Sequence, residues 1–319
     1  MRKIIVFLLA VLPLTACNHV NENKKNEVKV INVPAFSSDS AYLFTKKQVD
    51  FGSRLPNSKS HNDCALYLST ELKRFGAEII EQKADLTAFD GTVLKSVNII
   101  GSFNLKAGTR ILLFSHWDSR PWADNDPNPE NHNKPVMGAN DGASGVGVLL
   151  EMARLMGKNA PTVGVDIIFF DSEDYGKPEG GEDSWCLGTQ YWAQHPHAPG
   201  YTARYGILLD MVGAPEATFY REEASQYYAG SVVDKVWSQA KSLGFGQYFR
   251  DLKGGAITDD HIYVNKIIGI PSIDIIHFDP NSGGFGAYWH TTHDTMENVD
   301  KNTLNAVGTT LMHVVYNEK

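Results

Sequence analysis

The chain has 319 residues, 42% of them hydrophobic and 21% charged, a globular composition that excludes a collagen-like or wholly disordered polymer. Its formal charge is −8 and no basic stripe interrupts it, which argues against nucleic acid as a partner. Three cysteines make no disulfide framework and none has zinc-finger spacing, so any metal must rest on His and carboxylate side chains.

Arg2 and Lys3 form a basic start, followed by an apolar run over 4–14 that is too short to span a bilayer comfortably. The run ends in Leu14-Thr15-Ala16-Cys17, which reads as a bacterial lipobox. Residues 1–16 are then a signal peptide, and Cys17 carries the lipid that holds the chain to a membrane. A plain secretory signal with a coincidental cysteine is the alternative. Residues 17–29, polar and rich in Asn and Lys, read as a flexible tether, leaving 30–319 as a single catalytic domain. The expected place is the bacterial cell envelope, facing the periplasm. There Cys64 and Cys186 could pair, and two buried free thiols are an equal alternative.

Residues 38–49 predict a helix with a Ser or Asp cap. Residues 60–75 predict another, with Ala65, Leu68, Leu72 and Phe75 at helical spacing and Gly76 as the stop. Strands are expected at 77–84 and 96–101. The short apolar runs 110–115, 163–170, 205–209 and part of 267–276 suit strands buried on both faces. Helices are expected at 145–156, 232–243 and 303–316. Such alternation implies a three-layer α/β fold, with a central mixed, mostly parallel β-sheet flanked by helices. Ligands then bind beyond the carboxyl ends of the strands.

Those apolar strands run into polar loops: His116-Trp-Asp-Ser-Arg, Asp171-Ser-Glu-Asp, Asp210-Met-Val-Gly and, after a glycine-rich stretch, Tyr288-Trp-His-Thr. Gly138-Ala-Asn-Asp-Gly precedes a helix. A single carboxylate after a strand is ordinarily a cap or a surface charge. Several acidic loops on one sheet edge would repel one another unless a cation neutralised them, and His with carboxylates suits Zn²⁺ with an open position. Of the neighbours Glu173 and Asp174, one can bind the metal while the other stays free as a general base of raised pKa. Trp122 and Trp185 are expected to be packed aromatics, with a place in a substrate pocket as the alternative. His195 and His197 are expected at the surface.

These stretches, with Thr258-Asp-Asp-His and Trp289-His-Thr-Thr-His-Asp-Thr, resemble the zinc aminopeptidase superfamily and more closely its metal-dependent glutaminyl cyclase branch, from about residue 30 onward. The resemblance implies one Zn²⁺ per chain on Asp141, Asp174 and His290, with Glu173 as acid/base. It implies that Asp210 and Asp259 hold the substrate amine and the hydrogen-bond network. Trp289 would be the pocket floor, Thr258 would offer a backbone N–H to the substrate carbonyl, and Phe285 would supply an aromatic face. The substrate implied is a peptide or protein N-terminus whose glutamine cyclises to pyroglutamate with loss of ammonia. Asp174 is a shorter ligand than the Glu of the animal pattern, and Asp274 stands in place of a His. A dinuclear zinc aminopeptidase of the same fold is the alternative, with His116 and Asp210 placed where a second metal's ligands would be. A binding protein that has kept the fold is a third reading.

Overall fold

The computed structural model describes residues 1, 3–4, 32–279, 281–282 and 284–319. Apart from residues 1 and 3–4, the signal peptide 1–16 and the tether 17–29 lie outside the described residues. Asn32–Lys319 pack as one unit. Among the described residues no helix is long and apolar enough to cross a membrane.

Helix α1 (Ser38–Val49) starts where the Ser37 hydroxyl accepts the Ser40 N–H, and α2 (Lys59–Arg74) starts on an equivalent bond from His61 N–H to Ser58. Strands β1 (Glu78–Thr87) and β2 (Val93–Phe103) form an antiparallel hairpin. There follow β3 (Arg110–His116), α3 (Ala143–Met156), β4 (Gly164–Phe170), α4 (Leu187–Gln194) and β5 (Gly206–Asp210). The remainder is β6 (Phe219–Arg221), α5 (Glu223–Ser242), β7 (Phe249–Lys253), α6 (Asp260–Tyr263), β8 (Ser272–Ile276) and α7 (Lys301–Asn317). A π-helical turn, Val264–Ile268, extends α6.

The main sheet runs β1-β2-β4-β3-β5-β8. Strands β4, β3, β5 and β8 are mutually parallel, and the β1/β2 hairpin is joined antiparallel at one edge. The expected mixed, mostly parallel sheet is therefore present. The apolar runs are continuous because both faces are covered. On β3, Ile111 and Leu113 face the larger core with α1, α2, α3, α5 and α7, whereas Leu112 and Phe114 face a smaller core with α4 and the π turn. Register aligns the strand ends: His116 lies opposite Phe170, and Asp210 opposite Ile276. The polar residues that follow each strand therefore emerge at one edge.

Every expected strand and helix is present within a few residues, except that α5 begins at Glu223 rather than 232. Its helix is broken at Ala229 (φ −145°, ψ 41°), just before Gly230, and the stretch before the break has a weak apolar pattern. Strands β6 and β7 and helix α6 were not expected, being too short for periodicity to register. Cys64 and Cys186 are buried and unpaired, which decides the alternative left open above.

Two features of this packing have measurable consequences. Helices α1 and α3 cross closely at Gly147, where an added Cβ would meet Thr45 Oγ1 at 2.1 Å and the Ala41 carbonyl at 2.8 Å. In an open helix Gly→Ala stabilises, but here overpacking reverses the sign, and Gly147→Ala should cost about 2 kcal/mol in a urea melt. Just past β8, buried His277 accepts the Tyr288 hydroxyl at Nδ1 (2.7 Å). Burial lowers the His277 pKa to about 4, only partly offset by Asp279. The unfolded chain therefore takes up this proton first. Stability should fall as pH drops from about 6.5 to about 4, by at most about 3 kcal/mol from this group. His277→Gln, neutral throughout, should show a shallower loss of urea midpoint across that window.

Candidate active site

The strand ends and the loops between them enclose a cavity of about 570 Å³. All nine residues singled out from the sequence line it: Asp141, Glu173, Asp174, Asp210, Thr258, Asp259, Phe285, Trp289 and His290. They come from separate loops. Asp141 precedes α3, Glu173 and Asp174 follow β4, and Asp210 ends β5. Asp259 caps α6 by accepting the Asp260 N–H, and His290 lies between β8 and α7.

Asp141, Asp174 and His290 converge so that one ligand atom of each lies within 4.8 Å of the others. His290 Nε2 is 3.4 Å from Asp174 Oδ1 and 3.8 Å from Asp141 Oδ2. Asp174 Oδ2 is buried without a partner. A second set, His116, Asp141 and Asp210, shares Asp141. There His116 Nε2 lies 2.9 Å from Asp141 and 3.3 Å from Asp210. Either set could hold a metal ion.

Glu173 stands beside the first set, its side chain only 12% exposed. Burial, together with Asp174, Asp259 and Asp260, raises its pKa well above the usual carboxylate range against the pull of His116. Burial and Asp141 bring Asp210 to about 6, and burial with Asp210 and Asp260 raises Asp259 well above its ordinary value. Asp174 moves the other way: burial opposes it, but His290 and Arg120 keep its pKa low. The site thus holds one carboxylate poised to stay ionised next to others that resist ionisation.

Supporting residues outside the predicted set fix this geometry. Asp118 accepts the N–H groups of Glu173 (3.1 Å) and Asp174 (3.2 Å). Asp294 accepts those of Asn140 (2.8 Å) and Asp141 (3.1 Å). Arg120 contacts Asp174 at 3.0 Å and forks onto Asp124, which lies 3.6 Å from His290 Nδ1. Buried Arg54 donates to the carbonyls of Trp117, Met137 and Gly138, holding the Asp141 loop against β3. The Cys186 thiol donates to Glu173 Oε1 at 3.2 Å. His290 is stacked between Trp289 (3.8 Å) and Trp185 (6.1 Å), and Phe285 packs on Trp289 (4.6 Å). Asp118, Arg120 and Asp294 lie inside the quoted sequence stretches and could have been found there. Arg54, Asp124 and Cys186 carry no local signal.

Of the residues given blander readings, Trp185 lines the cavity, whereas Trp122 packs on Phe89 and Tyr175 outside it. His195 is exposed, as expected. His197 is not a surface residue: it is half-buried, accepting the Trp192 indole N–H at Nδ1 (3.1 Å) and packing on Tyr201, because the loop after α4 folds back on the smaller core.

Backbone strain gathers here as well. Ser172 (φ 57°), Cys186 (φ 56°), Met211 (φ 49°) and His290 (φ 56°) all adopt the left-handed region. Each is a candidate site residue or adjoins one, Ser172 and Cys186 at Glu173 and Met211 at Asp210, the pattern expected where surrounding structure enforces a functional geometry.

Comparison with known proteins agrees with this geometry. The model of peptidase family M28 matches residues 98–315, and that of the prokaryotic membrane lipoprotein lipid attachment site matches 1–18. The crystal structure of Bacteroides thetaiotaomicron glutaminyl cyclase bound to N-acetylhistamine is similar at 54% identity, covering 90% of this chain and 100% of that one, with TM-score 0.89. A Zn-dependent exopeptidase from Parabacteroides distasonis is similar at 56% identity over 90% of this chain and 100% of its own, with TM-score 0.88. Bos taurus glutaminyl-peptide cyclotransferase is 25% identical over 94% of this chain and 91% of its own length. The chain belongs to peptidase family M28, in its glutaminyl cyclase branch.

Proposed function

We propose that this chain is a glutaminyl cyclase that converts the N-terminal glutamine of peptides and proteins to pyroglutamate and releases ammonia. The observation that carries the reading is Glu173: a nearly buried carboxylate with a raised pKa, adjacent to a His/carboxylate triad but not part of it.

The triad fits a single Zn²⁺. Two carboxylates and one imidazole converge from three loops, and Asp174 Oδ2 is a buried acceptor with no hydrogen-bond partner among the described residues. When bound, zinc supplies Lewis-acid polarisation of the substrate γ-carbonyl. The remaining work belongs to the chain. Trp289 and Phe285 form an apolar floor for the glutamine side chain, and the Thr258 N–H takes the substrate's first peptide carbonyl. Asp210 and Asp259 hold the α-amine against the γ-carbon, so that the attack is intramolecular. Glu173 accepts a proton from that amine as the new C–N bond forms. It returns a proton to the amide nitrogen as the old C–N bond breaks, and ammonia leaves. The balance needs no water.

We assign 1–16 as a signal peptide, 17–29 as a lipidated tether on Cys17, and 30–319 as the catalytic domain, held to the cell envelope and facing the periplasm. The substrates are then N-termini exposed in that compartment.

A second reading rests on the His116, Asp141 and Asp210 set. With a shared Asp141 this is a layout for two metals, and a dinuclear zinc aminopeptidase would use it to activate water. Metal content and product separate the two. The protein from residue 30 onward should hold one tightly bound zinc and release ammonia from a glutaminyl dipeptide, losing activity to a chelator and regaining it with zinc. Two tight zincs with cleavage of leucyl peptides would replace the cyclase reading by the aminopeptidase. Glu173→Gln should lower kcat by about 10² to 10⁴ while zinc content stays unchanged. A smaller effect would remove Glu173 from the proton transfer.

A further inference from the structure

The wall of the cavity opposite the triad is a segment with little structure of its own. Residues 254–258 leave β7, pass through Gly254-Gly255, and place Ala256, Ile257 and Thr258 on the cavity before Asp259 starts α6. Among the described residues, the hydrogen bonds of this segment run to one place. Gly254 N–H donates to the Arg221 carbonyl (2.8 Å), and Glu223 N–H donates to the Gly255 carbonyl (3.3 Å). Ile257 N–H donates to Glu222 Oε1 (3.0 Å).

Glu222 is 2% exposed. Its Oε1 also accepts the Ala224 N–H (2.8 Å), while Oε2 accepts the Ser225 N–H (2.5 Å) and lies 3.3 Å from His261 Nε2 on α6. The first turn of α5 needs only the bonds to Ala224 and Ser225. Ser, Asp or Asn makes those bonds with a shorter side chain and is the usual choice at a helix N-terminus. The extra length of Glu serves only the reach to Ile257 and His261. Three backbone N–H groups donate to this one carboxylate, and the His261 imidazole lies beside it. Burial opposes ionisation, but the neighbouring His261 and the hydrogen bond from Ser225 outweigh it and hold the pKa at about 2.

We propose that Glu222 is a positioning residue for substrate binding, tying the Ala256–Ile257–Thr258 wall to the start of α5 so that the Thr258 N–H is presented in place. The proposal rests on the glutaminyl cyclase reading. Without the tie, Gly254 and Gly255 keep their backbone bonds to Arg221 and Glu223, but residues 256–258 lose the bond at Ile257 that holds them, and binding must order them. Asp259 is fixed independently by its bond to Asp260 N–H, so the loss falls on binding rather than on proton transfer.

The test uses Glu222→Ser, which keeps a helix cap but cannot reach Ile257. Glu222→Gln serves as the length-preserving partner. Three quantities are read: thermal unfolding, amide hydrogen exchange of segment 254–258 by mass spectrometry, and kcat and KM on a glutaminyl dipeptide. Glu222→Ser should keep its zinc and most of its thermal stability, exchange faster at 254–258 alone, and raise KM about tenfold with kcat within about threefold. Glu222→Gln, which can still accept from Ile257 N–H, should recover most of the KM. Unchanged exchange and KM in Glu222→Ser would overturn the proposal. So would a uniform rise in exchange across the chain, because Glu222 would then be only a structural cap. If the wild-type protein released no ammonia, the cyclase reading would fall and, with it, the substrate role of the wall. The exchange rates would still decide whether Glu222 makes the tie.

Discussion

Repulsion between buried carboxylates at one edge of the sheet is the constraint around which this molecule is arranged. Parallel β3, β4, β5 and β8 end in register, so Asp141, Glu173, Asp174, Asp210 and Asp259 are brought to one cavity away from water. Such a cluster raises the proton affinity of Glu173, Asp210 and Asp259. The protein supplies some of that charge itself, through Arg120 on Asp174 and His116 between Asp141 and Asp210. The rest is left to a cation. The same field that invites a metal ion also raises the proton affinity of Glu173, the group assigned the proton transfer in the proposed reaction.

The supporting residues can be understood as what it takes to hold like charges together. Asp118 and Asp294 accept the backbone N–H groups of Asp174 and Asp141 and of the residue before each, so both carboxylate ligands of the triad are fixed by their main chain as well as by their neighbours. Left-handed backbone at Ser172 and Met211 turns the chain sharply just past β4 and β5, and His290 adopts it in the loop between β8 and α7. None of these conformations is favourable for a residue with a side chain. They persist because the apolar layers on both faces fix the strands that lead into them.

How much of this could be read from the sequence follows from the range of each interaction. Strands β3, β4, β5 and β8 were legible because burial on both faces leaves an unbroken apolar run, and the loops after them because charged residues next to such a run are conspicuous. Helix α1 was legible from its cap, and α2 from its apolar spacing and Gly76 stop. Helix α6, four residues long, and strand β6, three residues long, have no periodicity to detect. The start of α5 was hidden by the break at Ala229. In the site, the nine candidate residues followed from motif order and resemblance. Arg54 and Glu222 did not, because each acts on carbonyls or amides more than thirty residues away, and only the folded chain brings those together.

The hairpin at the edge of the sheet has a consequence for how copies of the chain meet. Strand β1 is one border of the sheet, and such a border is a template on which another strand can add. Its sequence, Glu-Ile-Ile-Glu-Gln-Lys-Ala-Asp-Leu-Thr, largely alternates half-buried positions with exposed ones, and charged residues recur along it. Charges that repel or remain hydrated along a border leave a second copy little to gain by extending the sheet, so the side chains of β1 themselves oppose the zipping of one sheet onto another.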